Sequence, residues 1–364
     1  MNRRKWLIQS SLAFTGLSIL PFKGFAIPGY TSPEKPGNGP IILSFNENPY
    51  GPSPEARREM ANAVNSSNRY PWEMINTLMS AIAVKNNVVK DNILVGAGST
   101  EILDLCVQYA AAKKGSFVHA HPTFDRWAGA AERSGLEKIA IRLTTEKRHN
   151  LPAMLQAIRP DTQLVYICNP NNPTGTICER NALVSFIEEA TKKALVVIDE
   201  AYLEYANETS VSSLAVKNKN LIAVKTFSKI YGLAGARAGY AIGHADTIEQ
   251  LSELRCGADL GISVVSLAGA LSSLKDEEFI KSSHAQNEEA RKFATERLAA
   301  LGIPSIPSHT NFIYFSLANF TKDFFARLKD NNILGTEIFE EQGKWSRITV
   351  STMQEMEKFI AAIS

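Results

Sequence analysis

A lysine and an arginine that could take part in catalysis lie close together in this 364-residue chain. Lys229 follows the apolar, β-rich run 221–227, which is typical of a buried parallel strand, and Arg237 comes shortly after it. Because burial lowers the pKa of an amine, Lys229 could attack a carbonyl. Thr226, Ser228 and Arg237 are suited to binding a phosphate. A carbonyl, a phosphate and a Schiff-base lysine together indicate pyridoxal 5'-phosphate, but a solvated loop with a few charges explains this segment equally well.

A glycine turn provides a second candidate phosphate site. Gly96–Thr100 connects a short predicted strand to a helical run, and a helix N-terminus presents free backbone N–H groups to an anion. A dinucleotide fingerprint is the competing interpretation, but its third glycine is missing and no acidic residue ends the next strand. Given Lys229 and Arg237 in the same chain, we predict that a single phosphate monoester is bound by Gly98, Ser99 and Thr100.

Other polar or aromatic residues follow predicted buried strands. Asn172 lies in a turn after the run 163–168, where its amide could bind a phenolate oxygen. Asp199 follows the run 194–198, where a buried carboxylate costs free energy unless it is paired; a protonated pyridine nitrogen is a suitable partner. A helix N-cap is the alternative for Asp199. Phe124 could stack on a flat ring or belong to the core.

A further arginine and a pair of histidines complete the candidate residues. Arg347 lies within the β-like run 346–350, where its guanidinium could bind a carboxylate through two hydrogen bonds, with a surface ion pair as the alternative. His119 and His121 are two positions apart, but no third ligand is evident. We therefore predict no metal site.

Composition excludes some classes of function. The chain has 39 basic and 37 acidic side chains and a net charge of +2, so nothing indicates binding to nucleic acid or to an anionic membrane. A chain this long, 45% hydrophobic, can bury a large core in more than one domain. The four cysteines are scattered, and buried thiols are a better interpretation than disulfides.

The N-terminus predicts export. Arg3 and Arg4 precede a short apolar run, and small residues lie around Ala26. We interpret residues 1–26 as a twin-arginine-type signal peptide. An uncleaved anchor is the alternative, but the run is short and interrupted by polar residues. The expected location is the periplasm, without stable membrane insertion after signal removal, or the cytoplasm if the signal is not used.

A series of motifs then resembles a known family. In order they are NENPYGPSP, RYPW, GAGSTE, HPTFDRW, NPNNPTG, VVIDEAY, TFSKIYGLAGARAGY and RITV. Together they resemble the class I/II, fold-type I, pyridoxal-phosphate aminotransferases, and most of all the histidinol-phosphate aminotransferase branch. The resemblance covers nearly everything after residue 26.

The resemblance implies a role for each matching residue. Lys229 would form the Schiff base with the cofactor and then move the substrate proton, while Asp199 would pair with the ring nitrogen. Asn172 and Tyr202 would bond the ring oxygen, and Phe124 would stack on the ring. The phosphate would be surrounded by Gly98, Ser99, Thr100, Thr226, Ser228, Arg237 and, from the other subunit of a homodimer, Tyr70. Substrate contacts would come from Arg347, Asn48, Asn172 and a neighbour's Tyr30.

The implied fold is α/β, with a mostly parallel central sheet flanked by helices and a smaller α+β domain. We place the large domain at 68–270 and the small domain at 27–67 together with 271–364. The related branch usually carries an arginine shortly before the RITV arginine, associated with a phosphorylated substrate. Here the segment 332–337 has no positive charge and one negative charge, so a substrate phosphate would be left unpaired.

We therefore predict an exported aminotransferase that moves an amino group from an unphosphorylated amino acid or amine to a 2-oxo acid. One alternative keeps the fold and cofactor but breaks another bond at the substrate α-carbon, by elimination, decarboxylation, oxidation or cyclisation. The other is a non-catalytic periplasmic binding protein, which would not require the combination of Lys229, Asp199 and Arg347.

Overall fold

The computed structural model describes residues 39–256 and 261–364. Ile41–Ser364 forms one compact unit. The predicted signal peptide and Tyr30 lie outside the described residues. In the described ranges, no helix is both long and apolar enough to cross a bilayer.

The regular elements are numbered here in chain order. The strands are β1 (Ile41–Ile42), β2 (Ile93–Gly96), β3 (Gly115–His121), β4 (Leu136–Arg142), β5 (Thr162–Cys168), β6 (Leu195–Asp199), β7 (Leu221–Thr226), β8 (Gly239–Gly243), β9 (Ser305–Ile306), β10 (Phe312–Ser316), β11 (Ile333–Leu334), β12 (Ile338–Glu340) and β13 (Trp345–Thr349). The α-helices are α1 (Pro54–Ala63), α2 (Trp72–Asn86), α3 (Ser99–Ala111), α4 (Ala128–Arg133), α5 (Leu151–Gln156), α6 (Arg180–Ala190), α7 (Ser212–Ala215), α8 (Ala245–Glu253), α9 (Val264–Lys275), α10 (Glu277–Ala300), α11 (Phe324–Asp330) and α12 (Met353–Ile363). Short 3-10 helices cover Val64–Ser66, Lys90–Asn92 and Leu203–Tyr205.

The largest sheet has the strand order β2-β8-β7-β6-β5-β3-β4. Neighbours from β7 to β4 are parallel, and β8 runs antiparallel to both β7 and β2. Both faces are covered, which explains why these strands read as continuous apolar runs. In β6, Val196 and Ile198 enter one hydrophobic cluster with α2 and α6, while Leu195 and Val197 enter another with α3 and α8. The predicted α/β class is confirmed.

The ends of the parallel strands gather the candidate residues. The carboxyl ends of β5, β6 and β7 lie at one edge of the sheet, because parallel strands point the same way. The turn containing Asn172 follows β5, Asp199 ends β6, and Lys229 follows β7. Sheet topology therefore brings together three residues that are far apart in sequence.

A second sheet is built from the C-terminal part of the chain. Its order is β12-β13-β10-β9, all antiparallel, and a third hydrophobic cluster joins it to α10, α11 and α12. Leu43 belongs to this cluster, and β1 pairs with β11 beside it. This sheet carries Arg347 on β13. The domain boundaries predicted from the sequence stay a prediction.

Candidate active site

Lys229 lies in the turn that follows β7. Its Nζ donates to the backbone carbonyl oxygens of Phe45 and Asn46, at 3.2 Å each, and lies 5.4 Å from the centre of the Tyr202 ring. Burial, with a further contribution from the positive charge of Arg347, lowers the pKa of the Lys229 amine to about 8. About a tenth of this amine is therefore uncharged at pH 7 and able to act as a nucleophile, and this fraction rises with pH.

Asp199 is a buried carboxylate that makes no direct ion pair among the described residues, and the positive charge of Lys229 acts on it from a greater distance. Its Oδ2 accepts a hydrogen bond from Tyr166 at 2.8 Å, and its Oδ1 accepts one from the backbone N–H of Ala201 at 3.1 Å. Burial raises the pKa of the Asp199 carboxyl to about 6, even though these two hydrogen bonds favour the charged form. The helix-cap interpretation does not fit, since the next helical turn begins at Leu203 and Tyr202 occupies its cap position.

Tyr202 and Asn172 occupy the space between Lys229 and the second sheet. The hydroxyl of Tyr202 accepts hydrogen bonds from the side-chain amides of Asn46, at 3.0 Å, and Asn172, at 3.4 Å. Burial raises the pKa of the Tyr202 phenol above its ordinary value. Tyr202 is therefore a neutral phenol at physiological pH, held by two amide groups.

Arg347 is a buried guanidinium beside this pair. It donates to the side-chain oxygen of Asn172 and, at 2.7 Å, to the backbone carbonyl of Ser44. The rings of Phe312 and Phe339 lie 5.3 and 5.2 Å from its central carbon. Burial lowers the pKa of Arg347 to about 10, its Nε has no hydrogen-bond partner, and no carboxylate within the described ranges pairs with it. This environment does not fit a surface ion pair and suits an incoming carboxylate.

A ring of donors lies at the start of α3. Arg237 donates to Thr100 at 3.5 Å and to Ser228 at 3.4 Å, and Ser228 also accepts from Thr226 at 3.0 Å. Gly98 has φ 81°, and a Cβ on it would come within 2.4 Å of the Arg237 guanidinium. Only glycine therefore leaves room for Arg237 beside the helix N-terminus. The backbone N–H groups at Ser99 and Thr100 add to this anion cradle.

Three other residues predicted at the site, Phe124, Tyr70 and Asn48, do not contact Lys229 or Arg347 in the contacts described above. Phe124 is half-buried against the cluster that contains α3. Tyr70 is 75% exposed and stands beside Trp72, with ring centres 6.4 Å apart. Asn48 is buried, and its side-chain amide donates to the Ile230 carbonyl at 2.7 Å and to Ser283 at 3.3 Å. These contacts anchor the 46–50 loop to the Lys229 turn, so the predicted substrate role of Asn48 stays a prediction.

Two residues at the site were not singled out by the sequence. Tyr166, which donates a hydrogen bond to Asp199, lies within the apolar part of β5, the strand next to β6. A buried tyrosine hydroxyl needs a partner, so this lone Tyr beside the strand that ends in Asp199 was an available signal. Asn46 is the first residue of the NENPYGPSP motif, but nothing in the local pattern indicates that its amide contacts Tyr202.

The assembled residues fit pyridoxal 5'-phosphate. An amine of lowered pKa, a buried carboxylate without a direct ion pair among the described residues, and an anion cradle match its aldehyde, its ring nitrogen and its phosphate. In the part of the chain that the structure describes, no group of three or more His, Cys, Asp or Glu could hold a metal ion.

Comparisons with known proteins agree with this arrangement. Residues 38–363 match the family described as aminotransferase class I and II. The chain is 34% identical over 334 residues to histidinol-phosphate aminotransferase of Moorella thermoacetica, covering 89% of this chain and 84% of that protein. It is 32% identical over 339 residues to aromatic amino acid aminotransferase of Mycolicibacterium smegmatis, covering 92% and 91%.

A solved structure adds the cofactor. Histidinol-phosphate aminotransferase from Sinorhizobium meliloti, in complex with pyridoxal-5'-phosphate, matches with a TM-score of 0.81 and 25% identity, covering 89% of both chains. The family, fold and cofactor predicted from the sequence are thereby confirmed. The chain belongs to the class I and II aminotransferases, in the branch similar to histidinol-phosphate aminotransferase, and it is a pyridoxal-phosphate-dependent enzyme of the fold-type I architecture.

Proposed function

We propose that this aminotransferase takes its amino group from an unphosphorylated amino acid or amine and delivers it to a 2-oxo acid at the site around Lys229. One observation carries the proposal. The nucleophilic amine of Lys229 and the buried guanidinium of Arg347 converge on Tyr202 and Asn172. A substrate held by its carboxylate at Arg347 would present its α-carbon toward Lys229.

The cofactor, when bound, supplies an aldehyde for covalent attachment and a ring that accepts electrons from the substrate α-carbon. We assign Asp199 to hold the ring nitrogen, with Asn172 and Tyr202 at the ring oxygen and Phe124 at the ring face. The phosphate is assigned to the cradle of Gly98, Ser99, Thr100, Thr226, Ser228 and Arg237.

The protein's own groups then do four tasks. Arg347 binds and orients the substrate carboxylate, and the rings of Phe312 and Phe339 exclude water from that contact. Asp199 keeps a proton on the ring nitrogen by its negative charge. Lys229, with a pKa of about 8, first acts as nucleophile and then carries the proton that leaves the substrate α-carbon.

The charges near β13 support the proposed substrate class. The segment 332–337 is fixed against this strand, because Thr336 bonds the backbone of Arg347. Its only charged side chain is the exposed Glu337, so this segment offers no cation for a substrate phosphate. The positive charge of Arg126 contributes to lowering the pKa of Arg347, so a second cation acts on this end of the site. Such a cation would attract a second carboxylate as well as a phosphate, so substrates with a second carboxylate are to be tested beside histidinol phosphate.

A screen of the two half-reactions tests this proposal. The cofactor-loaded enzyme is mixed with single amino acids, amines or histidinol phosphate, and the visible absorbance of the cofactor is followed. We expect unphosphorylated donors to convert the cofactor to its amine form and a 2-oxo acid to reverse the change. A response to histidinol phosphate alone would contradict the substrate class. Consumption of a donor without the amine form would favour a different bond-breaking reaction on the same fold.

We also propose a homodimer in which Tyr70 of the partner subunit reaches the phosphate. Two features support it: Tyr70 is 75% exposed, and Trp72 beside it is 48% exposed, which is unusual for large aromatic side chains on a free surface. Sedimentation of the loaded enzyme tests this assembly. A monomer with full activity would contradict it.

Export through the twin-arginine route is the remaining part of the proposal. Its basis is Arg3 and Arg4 ahead of the apolar run and the small residues near Ala26. Replacing both arginines by lysine should leave the protein in the cytoplasm, whereas the unmodified chain should be found in the periplasm after cell fractionation. Cytoplasmic retention of the unmodified chain would contradict export.

A further inference from the structure

Asn46 is held in an unusual backbone conformation at the centre of the site. Its φ is 56°, in the left-handed region that asparagine tolerates better than most residues, and only 1% of its surface is exposed. Its carbonyl oxygen accepts from Lys229 at 3.2 Å and from Asn311 at 3.0 Å. The peptide backbone at Asn46 thus faces Lys229, while its side chain turns toward Tyr202.

Thr349 determines which way the Asn46 amide points. The backbone N–H of Asn46 donates to Thr349 Oγ1 at 2.9 Å, so the hydroxyl proton of Thr349 is free to be donated elsewhere. The side-chain oxygen of Asn46 lies 3.3 Å from that hydroxyl and accepts the proton. The amide nitrogen of Asn46 is therefore left facing the Tyr202 oxygen, at 3.0 Å.

A second amide faces the same oxygen from the other side. The side-chain oxygen of Asn172 accepts from Arg347, which turns the Asn172 amide nitrogen toward Tyr202, at 3.4 Å. A phenol has one proton and two acceptor positions. With two N–H groups directed at its oxygen, Tyr202 has no acceptor position left and must donate its own proton in the remaining direction.

We propose that Asn46, fixed by Thr349, is a positioning residue that makes Tyr202 a hydrogen-bond donor toward the ring oxygen of the cofactor. This inference rests on the role proposed above for Tyr202. A donor at the ring oxygen withdraws electron density from it, so the adjacent Lys229 nitrogen in the loaded enzyme holds its proton less firmly. Asn46 would therefore lower the pH at which that nitrogen loses its proton.

A purely structural role for Asn46 makes a different prediction. If its contacts only stabilise the packing of the 46–50 loop against β13, removing them lowers the free energy of unfolding. The absorbance titration of the bound cofactor then stays unchanged. The titration, recorded without substrate, therefore separates the two roles.

The decisive variants are Thr349→Val and Thr349→Ser in the cofactor-loaded enzyme. Valine has the same shape but no hydroxyl, so the Asn46 amide loses its fixed direction. We expect the midpoint of the absorbance titration to rise in Thr349→Val and to stay at the wild-type pH in Thr349→Ser. We also expect kcat to fall about three- to tenfold in Thr349→Val, the equivalent of roughly one hydrogen bond, with KM changed by less than about twofold.

Asn46→Asp and Tyr202→Phe complete the experiment. A carboxylate at position 46 would accept the hydrogen bond of the Tyr202 hydroxyl, so that this hydroxyl no longer donates to the ring oxygen. The midpoint of the absorbance titration should then rise further. Because this carboxylate also adds charge near Lys229, the neutral Thr349→Val decides between the two roles. If Thr349→Val fails to fold, the neutral Asn46→Gly, which tolerates the left-handed backbone, takes its place: a raised midpoint supports the proposal and a midpoint at the wild-type pH overturns it.

Tyr202→Phe separates two outcomes: an error in the role of Asn46 and an error in the role proposed for Tyr202. If Tyr202→Phe raises the midpoint and Thr349→Val does not, the positioning role of Asn46 is overturned while the role of Tyr202 stands. If Tyr202→Phe itself leaves the midpoint unchanged, the proposed role of Tyr202 falls and the inference falls with it.

Discussion

The two arginines of the site differ in their surroundings. Arg237 is exposed at the start of α3 and shares its anion cradle with hydroxyl and backbone groups. Arg347 is buried on the second sheet, between two aromatic rings, with no acidic partner in the ranges described. An exposed ion pair is worth little in water, whereas a buried charge left alone is costly. In the proposed function, many weak contacts therefore bind the cofactor phosphate and one strong contact binds the substrate carboxylate.

Arg347→Gln should give the largest effect in this comparison. Removing one partner of a buried, hydrogen-bonded ion pair costs about 3–5 kcal/mol, which corresponds to a loss of roughly 150- to 5,000-fold in kcat/KM for amino acid donors. The affinity for the cofactor should fall much less than kcat/KM, since Arg347 acts on the proposed cofactor contacts only through the oxygen of Asn172. Steady-state kinetics and absorbance titration with the cofactor measure both quantities. A cofactor affinity that falls as much as kcat/KM would contradict the separation of roles.

Asp199→Asn should raise the free energy of unfolding of the cofactor-free protein at pH values where the Asp199 carboxyl is charged. The pKa of Asp199 is raised by burial to about 6, above its ordinary value, so the native state holds this proton more tightly than the unfolded state does. Its contribution to stability is full below about pH 4 and is lost as the pH rises through 6, a change of about 2–3 kcal/mol.

The control for that prediction is built into its pH dependence. Asp199→Asn should be more stable than the wild-type apoprotein at pH 8 and gain little at pH 4, as measured by urea unfolding. Adding the cofactor should make the wild type the more stable protein at pH 8, because the Asp199 carboxylate can pair with the ring nitrogen and an asparagine cannot. Equal free energies of unfolding of the two apoproteins at pH 8 would show that the buried charge of Asp199 does not destabilise the folded protein.

Arg237→Gln should weaken cofactor binding about tenfold, within the range of one charge-assisted hydrogen bond. Because Arg237 is exposed, the difference from wild type should shrink as salt is added. At saturating cofactor, kcat should be nearly unchanged, in contrast to Arg347→Gln. Equilibrium dialysis at low and high ionic strength checks the binding. A difference that is insensitive to salt would place Arg237 in a drier environment than the structure gives it.

Tyr70→Phe should give the smallest effect, a few-fold loss of cofactor affinity from one hydrogen bond across the proposed dimer. Trp72→Phe is the matched control, since it changes the neighbouring exposed ring without removing a phosphate contact. Equal losses in the two variants would indicate a general surface effect and would leave the proposed partner contact without support.

Strand ends made much of the site predictable. Asp199 and Lys229 each follow an apolar run, and parallel strands that share an edge bring such residues together wherever they lie in the sequence. The resemblance to the aminotransferases added Tyr202 and the direction of each role. Arg347 was predicted from its motif, and its burial between Phe312 and Phe339 is a result of the second sheet.

Long-range hydrogen bonds made the rest unpredictable. Asn46 is fixed by Thr349, 303 positions away, and no local pattern reports such a contact. Asn46 has a left-handed backbone, which asparagine tolerates but does not require, so its residue type alone does not predict this conformation. Asn48, two residues on, was predicted at the substrate, whereas its amide contacts are made to Ile230 and Ser283. In a turn-rich loop, spacing alone does not determine which asparagine faces inward.

Covalent trapping at Lys229 tests the central claim most directly. The loaded enzyme is reduced with borohydride, digested and examined by mass spectrometry, with Lys229→Ala and the exposed Lys219→Ala as variant and control. We expect the cofactor mass on the peptide containing Lys229 in the wild type and in Lys219→Ala. In Lys229→Ala we expect no such adduct, and turnover lower by on the order of 10³-fold. Wild-type turnover in Lys229→Ala, or the cofactor mass on another lysine, would contradict the account.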